Sequence, residues 1–181
     1  MNLLPGSIRQ LGYVVENVDA AIAAWSRVGI GPWTVIRNVP LASVYRGKPS
    51  TPLIDVAFGY RGDVQLELIQ QTNNAASPYR PWIEKRQFGL HHTAWLSSTI
   101  GADVQRLCDA GLELICDINM PTGGRYVYFA PPVAGEQTIV ELLEATPALQ
   151  QMFAQGIAAA AAWDGYRAPT VIDFAALAHN S

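Results

Sequence analysis

The sequence is short of charged residues, cysteines and basic patches, and each shortage excludes a class of protein. Of its 181 residues, 15% are charged and 50% are hydrophobic, a balance typical of a folded globular chain and not of a disordered one. The net charge is -3, and Lys and Arg are scattered without a basic stripe, so we expect no nucleic-acid partner. The two cysteines, Cys108 and Cys116, lack CxxC spacing, and we expect both to be buried, reduced thiols.

Long apolar segments are also missing. No hydrophobic run is long enough to span a bilayer, and the stretch before Pro5 is too short for the apolar part of a signal peptide. These absences predict a cytoplasmic protein with no membrane contact. The length suits one compact domain, or two small modules that share a core.

Histidine is scarce, and its distribution is uneven. Two of the three histidines, His91 and His92, stand side by side in the apolar run 89–95. Neighbouring side chains of a strand point to opposite faces. If this run is a strand, the two imidazoles cannot both face one site.

The pattern of strands and helices predicts an α+β fold built from two βαβββ modules. In the first module, strands at 8–15, 33–36, 53–60 and 64–70 accompany a helix that begins after Asn17, a good N-cap residue. The stretch 38–52 contains three prolines and a glycine, which predicts a loop over the site. The pattern then restarts, with strands at 90–97, 112–117, 125–130 and 138–144 and a helix at 102–110.

These elements define four segments of one structural domain. The first module occupies 1–72, a polar linker with a helical turn at 81–84 occupies 73–88, and the second module occupies 89–145. A C-terminal helical extension, 146–181, is expected to contain helices at 147–163 and 171–179. We expect this extension to cover a module edge or to form a dimer contact.

An internal repeat gives the strongest indication of a functional site. The stretch 10–15 (QLGYVV) matches 92–97 (HTAWLS), with a small residue two positions on and an aromatic residue three positions on. The stretch 64–70 (VQLELIQ) matches 138–144 (TIVELLE), and both contain Glu-Leu. Four polar residues therefore occupy equivalent places in the two modules: Gln10, Glu67, His92 and Glu141.

Strand alternation indicates that these polar residues need partners. Glu67 points away from the apolar face formed by Leu66 and Leu68, and Glu141 points away from Leu142 in the same manner. A buried carboxylate without a partner is costly. The four residues would satisfy one another around a divalent cation, and the alternative is that each is an isolated polar residue at a strand edge.

Over about residues 8–145, these motifs in their order resemble the vicinal oxygen chelate superfamily, which includes glyoxalase I, methylmalonyl-CoA epimerase, extradiol dioxygenases and bleomycin-resistance proteins. The resemblance implies that the two modules curl into a cup around one metal ion. It implies a divalent metal, Zn, Ni, Co or Mn, held by side chains from the first and last strands of each module. These ligands would be Gln10, Glu67, His92 and Glu141. His91 would face away from the metal.

The same resemblance implies a metal-dependent isomerase, epimerase or lyase, similar to glyoxalase I or methylmalonyl-CoA epimerase, that removes a proton alpha to a carbonyl group. Glu141 and Glu67 are the candidate bases, and Asp55 aligns with the opposed acid of the epimerases. The expected partners are a small carbonyl compound, possibly a thioester, and a second copy of the chain. Candidate substrate contacts are Trp33, Tyr45, Phe58, Tyr60, Tyr126 and Tyr128, with Arg37, Arg46, Lys48 and Arg125 for a carboxylate or CoA phosphates.

Two alternatives remain open at this point. One is a metal-free protein of the same fold that binds or sequesters a small molecule. The other is an extradiol-type dioxygenase, which fits less well because such iron sites use two histidines and the mapped set has one.

Overall fold

The computed structural model describes residues 2–120, 123–131 and 138–174. The strands are β1 (Gln10–Val14), β2 (Thr34–Pro40), β3 (Ser43–Tyr45), β4 (Lys48–Ser50), β5 (Leu53–Arg61), β6 (Val64–Gln71), β7 (Gly89–Ser97), β8 (Leu114–Asn119), β9 (Arg125–Phe129), β10 (Ile139–Glu144) and β11 (Thr170–Asp173). The helices are α1 (Val18–Arg27), α2 (Arg80–Glu84), α3 (Ile100–Asp109) and α4 (Pro147–Ala161).

All eleven strands form one mixed sheet, curled into a half-barrel, in the order β11-β2-β5-β6-β1-β7-β10-β9-β8-β3-β4. The first module supplies β1-β6-β5-β2, and the second supplies β7-β10-β9-β8 in the same relative order. Antiparallel pairing of β1 with β7 joins the modules at the centre of the sheet. The prediction of an α+β fold with two βαβββ modules is confirmed.

The two long module helices pack on one face of the sheet, which we call the outer face. The side chain of Asn17 accepts a hydrogen bond from Ala20 N at 2.8 Å and begins α1 as predicted. Buried Val18 and Ile22 of α1 pack with Leu68 of β6. Helix α3 packs in a cluster with strands β7, β9 and β10 of the second module. The opposite, inner face is therefore left to form a cup.

The stretch 38–52 contains more structure than the predicted loop. Residues 43–50 form the hairpin β3–β4, and β3 pairs with β8, the edge strand of the other module. Backbone groups at an open sheet edge need partners, and this pairing supplies them. The prediction of a plain loop was wrong because the pairing partner lies about 70 residues away in the sequence and local composition does not show it.

The C-terminal extension is only partly helical. Helix α4 is present, with the Thr146 hydroxyl accepting from Leu149 N at 3.2 Å. The predicted helix at 171–179 is wrong where the structure describes it, because Thr170–Asp173 forms β11, which pairs in parallel with β2. Residues 175–179 lie outside the described residues. The extension thus covers the β2 edge of the first module.

Two further expectations concern burial. Cys116 is buried in β8 as expected, whereas Cys108 is exposed because it lies on the solvent side of α3.

No helix in the described ranges is both long enough and apolar enough to cross a membrane.

Candidate metal centre

The centre of the inner face is built by two of the predicted ligand residues, each of which lies opposite a small residue. In the antiparallel pair β1–β7, Gln10 lies opposite Ala94 and His92 lies opposite Gly12. The His92 ring lies directly over Gly12, and a methyl group added there would overlap it. The small residue two positions after each ligand, seen in the repeat, therefore gives the other module's ligand its space.

Three oxygen atoms surround one ring nitrogen at this position. His92 Nε2 lies 3.0 Å from Glu141 Oε2, 3.2 Å from Glu67 Oε2 and 3.2 Å from Gln10 Oε1. Gln10, His92 and Glu141 are buried, and the Glu67 side chain is 13% exposed. We call these four residues the central cluster.

The central cluster has more acceptors than protons. One ring nitrogen carries at most one proton and cannot donate to three oxygens. Within the described residues, Glu141 Oε2 accepts no hydrogen bond, although it is buried. Candidate ligand atoms of Glu67, His92 and Glu141 all lie within 4.8 Å of one another. A cation among them could accept one lone pair from each of these three side chains.

A chain of amides fixes which atom Gln10 presents. Gln10 Nε2 donates to Gln65 Oε1 at 2.7 Å, and Gln65 Nε2 in turn donates to the Tyr60 hydroxyl. These bonds occupy the nitrogen end of the Gln10 amide, so its oxygen points to His92. The Gln10 amide oxygen, a candidate ligand atom, is thereby held in place by hydrogen bonds.

His91 does not face away from the site, in contrast to the prediction. The β1–β7 register shifts so that Gly12 pairs with His92 and Tyr13 with Leu90, which leaves His91 as the extra residue of a β-bulge. The bulge turns His91 to the same side as His92, and their Nδ1 atoms lie 3.0 Å apart. Strict alternation failed because a bulge interrupts it.

The contacts of His91 determine the tautomer of His92. His91 Nε2 lies 3.1 Å from the Pro78 carbonyl oxygen, which can only accept, so this nitrogen carries the proton. His91 Nδ1 is then an acceptor, and His92 Nδ1 must donate to it. When His92 is neutral, its Nε2 consequently presents a lone pair to the central cluster, as metal coordination requires.

The pKa directions describe the metal-free protein, in which His92 gains a second proton. Burial opposes a charge on His91 and, together with the neighbouring charge of His92, lowers the pKa of His91 to about 3. Burial also opposes a charge on His92, but the carboxylates of Glu141 and Glu67 outweigh it and raise the pKa of His92 to about 10. Burial raises the pKa of Glu67, against the effect of His92. In the metal-free protein, His92 is therefore a cation with a proton on Nε2 between two carboxylates, and a metal ion bound there would replace that proton.

Replacing His91 by Phe should weaken metal binding by about 10- to 100-fold, because His92 loses the acceptor that selects its tautomer. His91→Gln keeps both a donor and an acceptor and should retain most of the affinity. Competition of each variant with a chelating dye measures the affinity, and ring 15N shifts report the tautomer. Wild-type affinity in His91→Phe, with thermal unfolding unchanged, would contradict the assigned role.

The donor set fits a divalent cation. One imidazole nitrogen, two carboxylates and one amide oxygen suit Zn2+, Ni2+, Co2+ or Mn2+, and they do not distinguish among these ions.

Three of the predicted substrate contacts line the cup, namely Phe58, Tyr126 and Tyr128. The cup encloses a cavity of about 370 Å³, also bounded by Gln10, Glu67 and Glu141. Tyr60 packs against Phe153 of α4, and its hydroxyl accepts a hydrogen bond from Gln65. This cavity lies within the range typical of small-molecule sites.

Trp33 and Tyr45 do not line this cavity. Trp33 lies on the outer face, where its Nε1 donates to the Ile30 carbonyl at 2.9 Å and its ring covers Gly59. Tyr45 lies on the β3–β4 hairpin, and the Arg46 guanidinium stands over its ring at 5.8 Å.

Asp55 also lies outside the cup, contrary to the prediction. On β5, Ile54 and Val56 line the cavity, so Asp55 points to the outer face. There it accepts from Arg37 Nη1 at 2.9 Å and from Asn38 N at 2.9 Å. A base opposed to Glu141 from this strand is therefore not retained.

The sequence patterns missed several residues around the centre. Alternation along β6 places Gln65 on the same face as Glu67, but it does not reveal the hydrogen bond by which Gln65 orients Gln10. Tyr79 of the linker lines the cavity, and its hydroxyl lies 3.0 Å from that of Tyr128. No local pattern identifies Tyr79, since the linker reaches the cup only through the tertiary fold.

Known proteins share this architecture. Residues 9–129 match the family model described as Glyoxalase/Bleomycin resistance protein/Dioxygenase superfamily. The chain is 32% identical over 105 residues to the uncharacterized protein YqjC of Bacillus subtilis (strain 168). This aligned region covers 58% of this chain and 74% of that protein.

Solved structures give the same result for the fold. A methylmalonyl-CoA epimerase from Mycobacterium tuberculosis has a TM-score of 0.56 and 20% identity, covering 80% of this chain and 91% of that chain. The hypothetical protein BH1468 from Bacillus halodurans C-125 has a TM-score of 0.56 and 18% identity, covering 77% and 94%. A Streptomyces coelicolor methylmalonyl-CoA epimerase variant in complex with 2-nitronate-propionyl-CoA has a TM-score of 0.55 and 17% identity, covering 77% and 96%. At these identities the similarity concerns the fold.

Proposed function

Since this chain belongs to the glyoxalase/bleomycin resistance protein/dioxygenase superfamily, we propose that it is a divalent-metal-dependent enzyme that removes a proton alpha to a carbonyl group, in an isomerisation, epimerisation or lyase reaction. The observation that carries the proposal is the central cluster, with three oxygens around one imidazole nitrogen at the wall of a cavity.

The chemistry divides between the metal and the chain. A divalent cation supplies Lewis-acid polarisation of a substrate carbonyl, which makes the neighbouring C–H group more acidic. Glu67 and Glu141 are the only carboxylates among the described residues that line the cavity. We assign the proton transfer to Glu141 first, because its Oε2 is free of hydrogen bonds from described residues, and to Glu67 as the symmetric alternative.

Metal analysis tests the proposal directly. The purified protein should contain Zn, Ni, Co or Mn, and metal-free protein should regain one equivalent per chain. An ion present at 100 times its dissociation constant should add about 2.7 kcal/mol to the free energy of unfolding. The loaded enzyme should exchange alpha protons of a simple ketone for deuterium, followed by NMR. A protein with no affinity for any of these four ions would refute the proposal.

The apolar cavity also favours a second candidate, a metal-free protein that binds a small molecule in the same cup. Thermal shifts distinguish the two: stabilisation by apolar ligands but by none of the metals would favour the binding protein. The dioxygenase remains disfavoured, because the second imidazole, His91, directs its nitrogens to Pro78 and His92 and not to the cluster centre.

We also propose a homodimer. Short strands, β4 and β11, form the two edges of the sheet and discourage pairing there, so the proposed contact would use another surface. Sedimentation velocity of the full chain tests the oligomeric state.

A further inference from the structure

We infer that the cup takes an uncharged, predominantly apolar carbonyl compound, and not a substrate anchored through a carboxylate, a phosphate or a CoA group. The inference rests on the proposed function for the reaction at the central cluster, but it concerns the rest of the cavity. Apart from the cluster, the wall is mostly aliphatic and aromatic, and no Lys, Arg or His belongs to it among the described residues.

The arginines that sequence reasoning offered for anionic groups are engaged elsewhere. Arg37 is held on the outer face by Asp19 and Asp55. Arg125 forms a bidentate pair with Asp117, at 3.0 and 2.7 Å. An anionic group in the cavity would lose its hydration without gaining a described counter-charge, which is strongly unfavourable.

The remaining two basic candidates lie on the β3–β4 hairpin. Arg46 is exposed and pairs with Glu113, and Lys48 is exposed at the end of the sheet. Neither belongs to the described wall of the cavity. They therefore add no positive charge where the substrate would sit.

The charge balance of the centre points the same way. Two carboxylates, Glu67 and Glu141, would neutralise a divalent cation, while His92 and Gln10 would bind as neutral ligands. The loaded cluster would then carry no net charge to attract an anion. An uncharged ketone or dione, whose oxygens bind without bringing charge, suits this balance.

The C-terminal extension supplies much of the apolar wall. Leu149 and Met152 of α4 and Ile172 of β11 line the cavity, followed by Phe174. All four lie beyond the 9–129 segment that matches the family model. The selectivity of the cup therefore depends on residues that the family match does not include.

The position of this wall is fixed by close packing. Phe153 of α4 packs edge-on against Tyr60 at 5.7 Å between ring centroids. Gly156 allows the helix to approach Tyr60, because an added methyl group would overlap that ring. On the other side, pairing of β11 with β2 holds Ile172. The apolar wall is thus a built feature of the fold.

Neutral hydroxyls provide the polar contacts that such a ligand requires. Tyr79, Tyr126 and Tyr128 line the cavity, and the Tyr79 and Tyr128 hydroxyls lie 3.0 Å apart. A hydrogen-bonded pair of hydroxyls uses one proton and keeps the other for a further acceptor. A carbonyl or hydroxyl oxygen of the ligand can accept it.

Two ligands that differ only in a remote charge test the inference. 1-Phenyl-1,2-propanedione carries two adjacent carbonyls and no charge, and its para-carboxylate derivative adds one negative charge away from them. Calorimetry with the metal-loaded protein should show at least about tenfold weaker binding of the carboxylate, a factor equal to about 1.4 kcal/mol. Propionyl-CoA should bind no better than the carboxylate.

A charge placed in the wall should reverse this preference. Met152→Arg should bind the carboxylate more tightly than the neutral dione, whereas Gln151→Arg, exposed on the same helix, should keep the wild-type ratio. Circular dichroism checks the fold of both variants. If Met152→Arg does not fold, the comparison of the two ligands on the wild-type protein decides the question. If metal binds as proposed but the carboxylate or propionyl-CoA binds as tightly as the dione, only this inference is overturned. If no metal binds, the proposed function fails instead.

Discussion

Replacing Glu141 by Gln should reduce the affinity for a divalent cation by more than the loss of an outer-shell partner does. Loss of such a partner reduces metal affinity by about 10- to 100-fold. The amide has nearly the same shape but carries no negative charge. Competition with a chelating dye, or the visible spectrum of bound Co2+, measures the loss. Alpha-proton exchange by the loaded enzyme should fall by about 10²-fold or more, because the same change removes the proposed base.

A matched substitution separates this effect from a general loss of charge. Glu113→Gln removes a carboxylate from the surface, where it is 63% exposed and pairs with exposed Arg46. Such pairs contribute little to stability, and the variant should bind metal like the wild type. Equal metal affinities of Glu141→Gln and Glu113→Gln would remove Glu141 from the ligand set.

Replacing Gly12 by Ala should disrupt the centre from the opposite strand. The new methyl group would overlap the His92 ring, so either the ring or the β1 backbone must move. Overpacking of this kind destabilises proteins by about 1–3 kcal/mol. Urea denaturation should show this loss, and metal affinity should fall together with it because His92 leaves its position.

Two variants make the cause specific. Gly101→Ala adds a methyl group in α3, where no atom lies within 4 Å, and should be neutral or slightly stabilising. In a His92→Ala background the overlap disappears, so Gly12→Ala should then cost far less than it does alone. Additive effects in this double-mutant cycle would show that the glycine is needed for another reason.

Sequence patterns correctly indicated a helix cap, the two like modules and the residues of the central cluster. Asn17 caps α1 as predicted because its side chain reaches the first free backbone N–H groups of its own helix. The internal repeat indicated two like modules, because the same order of strands buries the same faces twice. It also selected Gln10, Glu67, His92 and Glu141, which the structure brings within ion-pair or hydrogen-bond distance of His92 Nε2.

The local sequence around Asp55 indicates a different position for this side chain from the one that was predicted. Its apolar neighbours Ile54 and Val56 alternate with it along one strand, and the structure places those two in the cup. Alternation alone would have placed Asp55 on the other face. Alignment with the epimerases outweighed that local signal and gave the wrong position.

The sequence by itself determined the two modules, the outer helices and the four residues of the central cluster. Strand alternation and helix capping act between near neighbours, and the repeat can be recognised because the same local pattern occurs twice in the chain. Only the tertiary structure decided the rest. The bulge at His91, the pairing of β3 with β8 and of β11 with β2, and the apolar wall from α4 all depend on segments distant in sequence. Unpaired backbone groups and exposed apolar surface are unfavourable, and this cost drives the chain to form such contacts. The local sequence does not show which distant segment will be the partner.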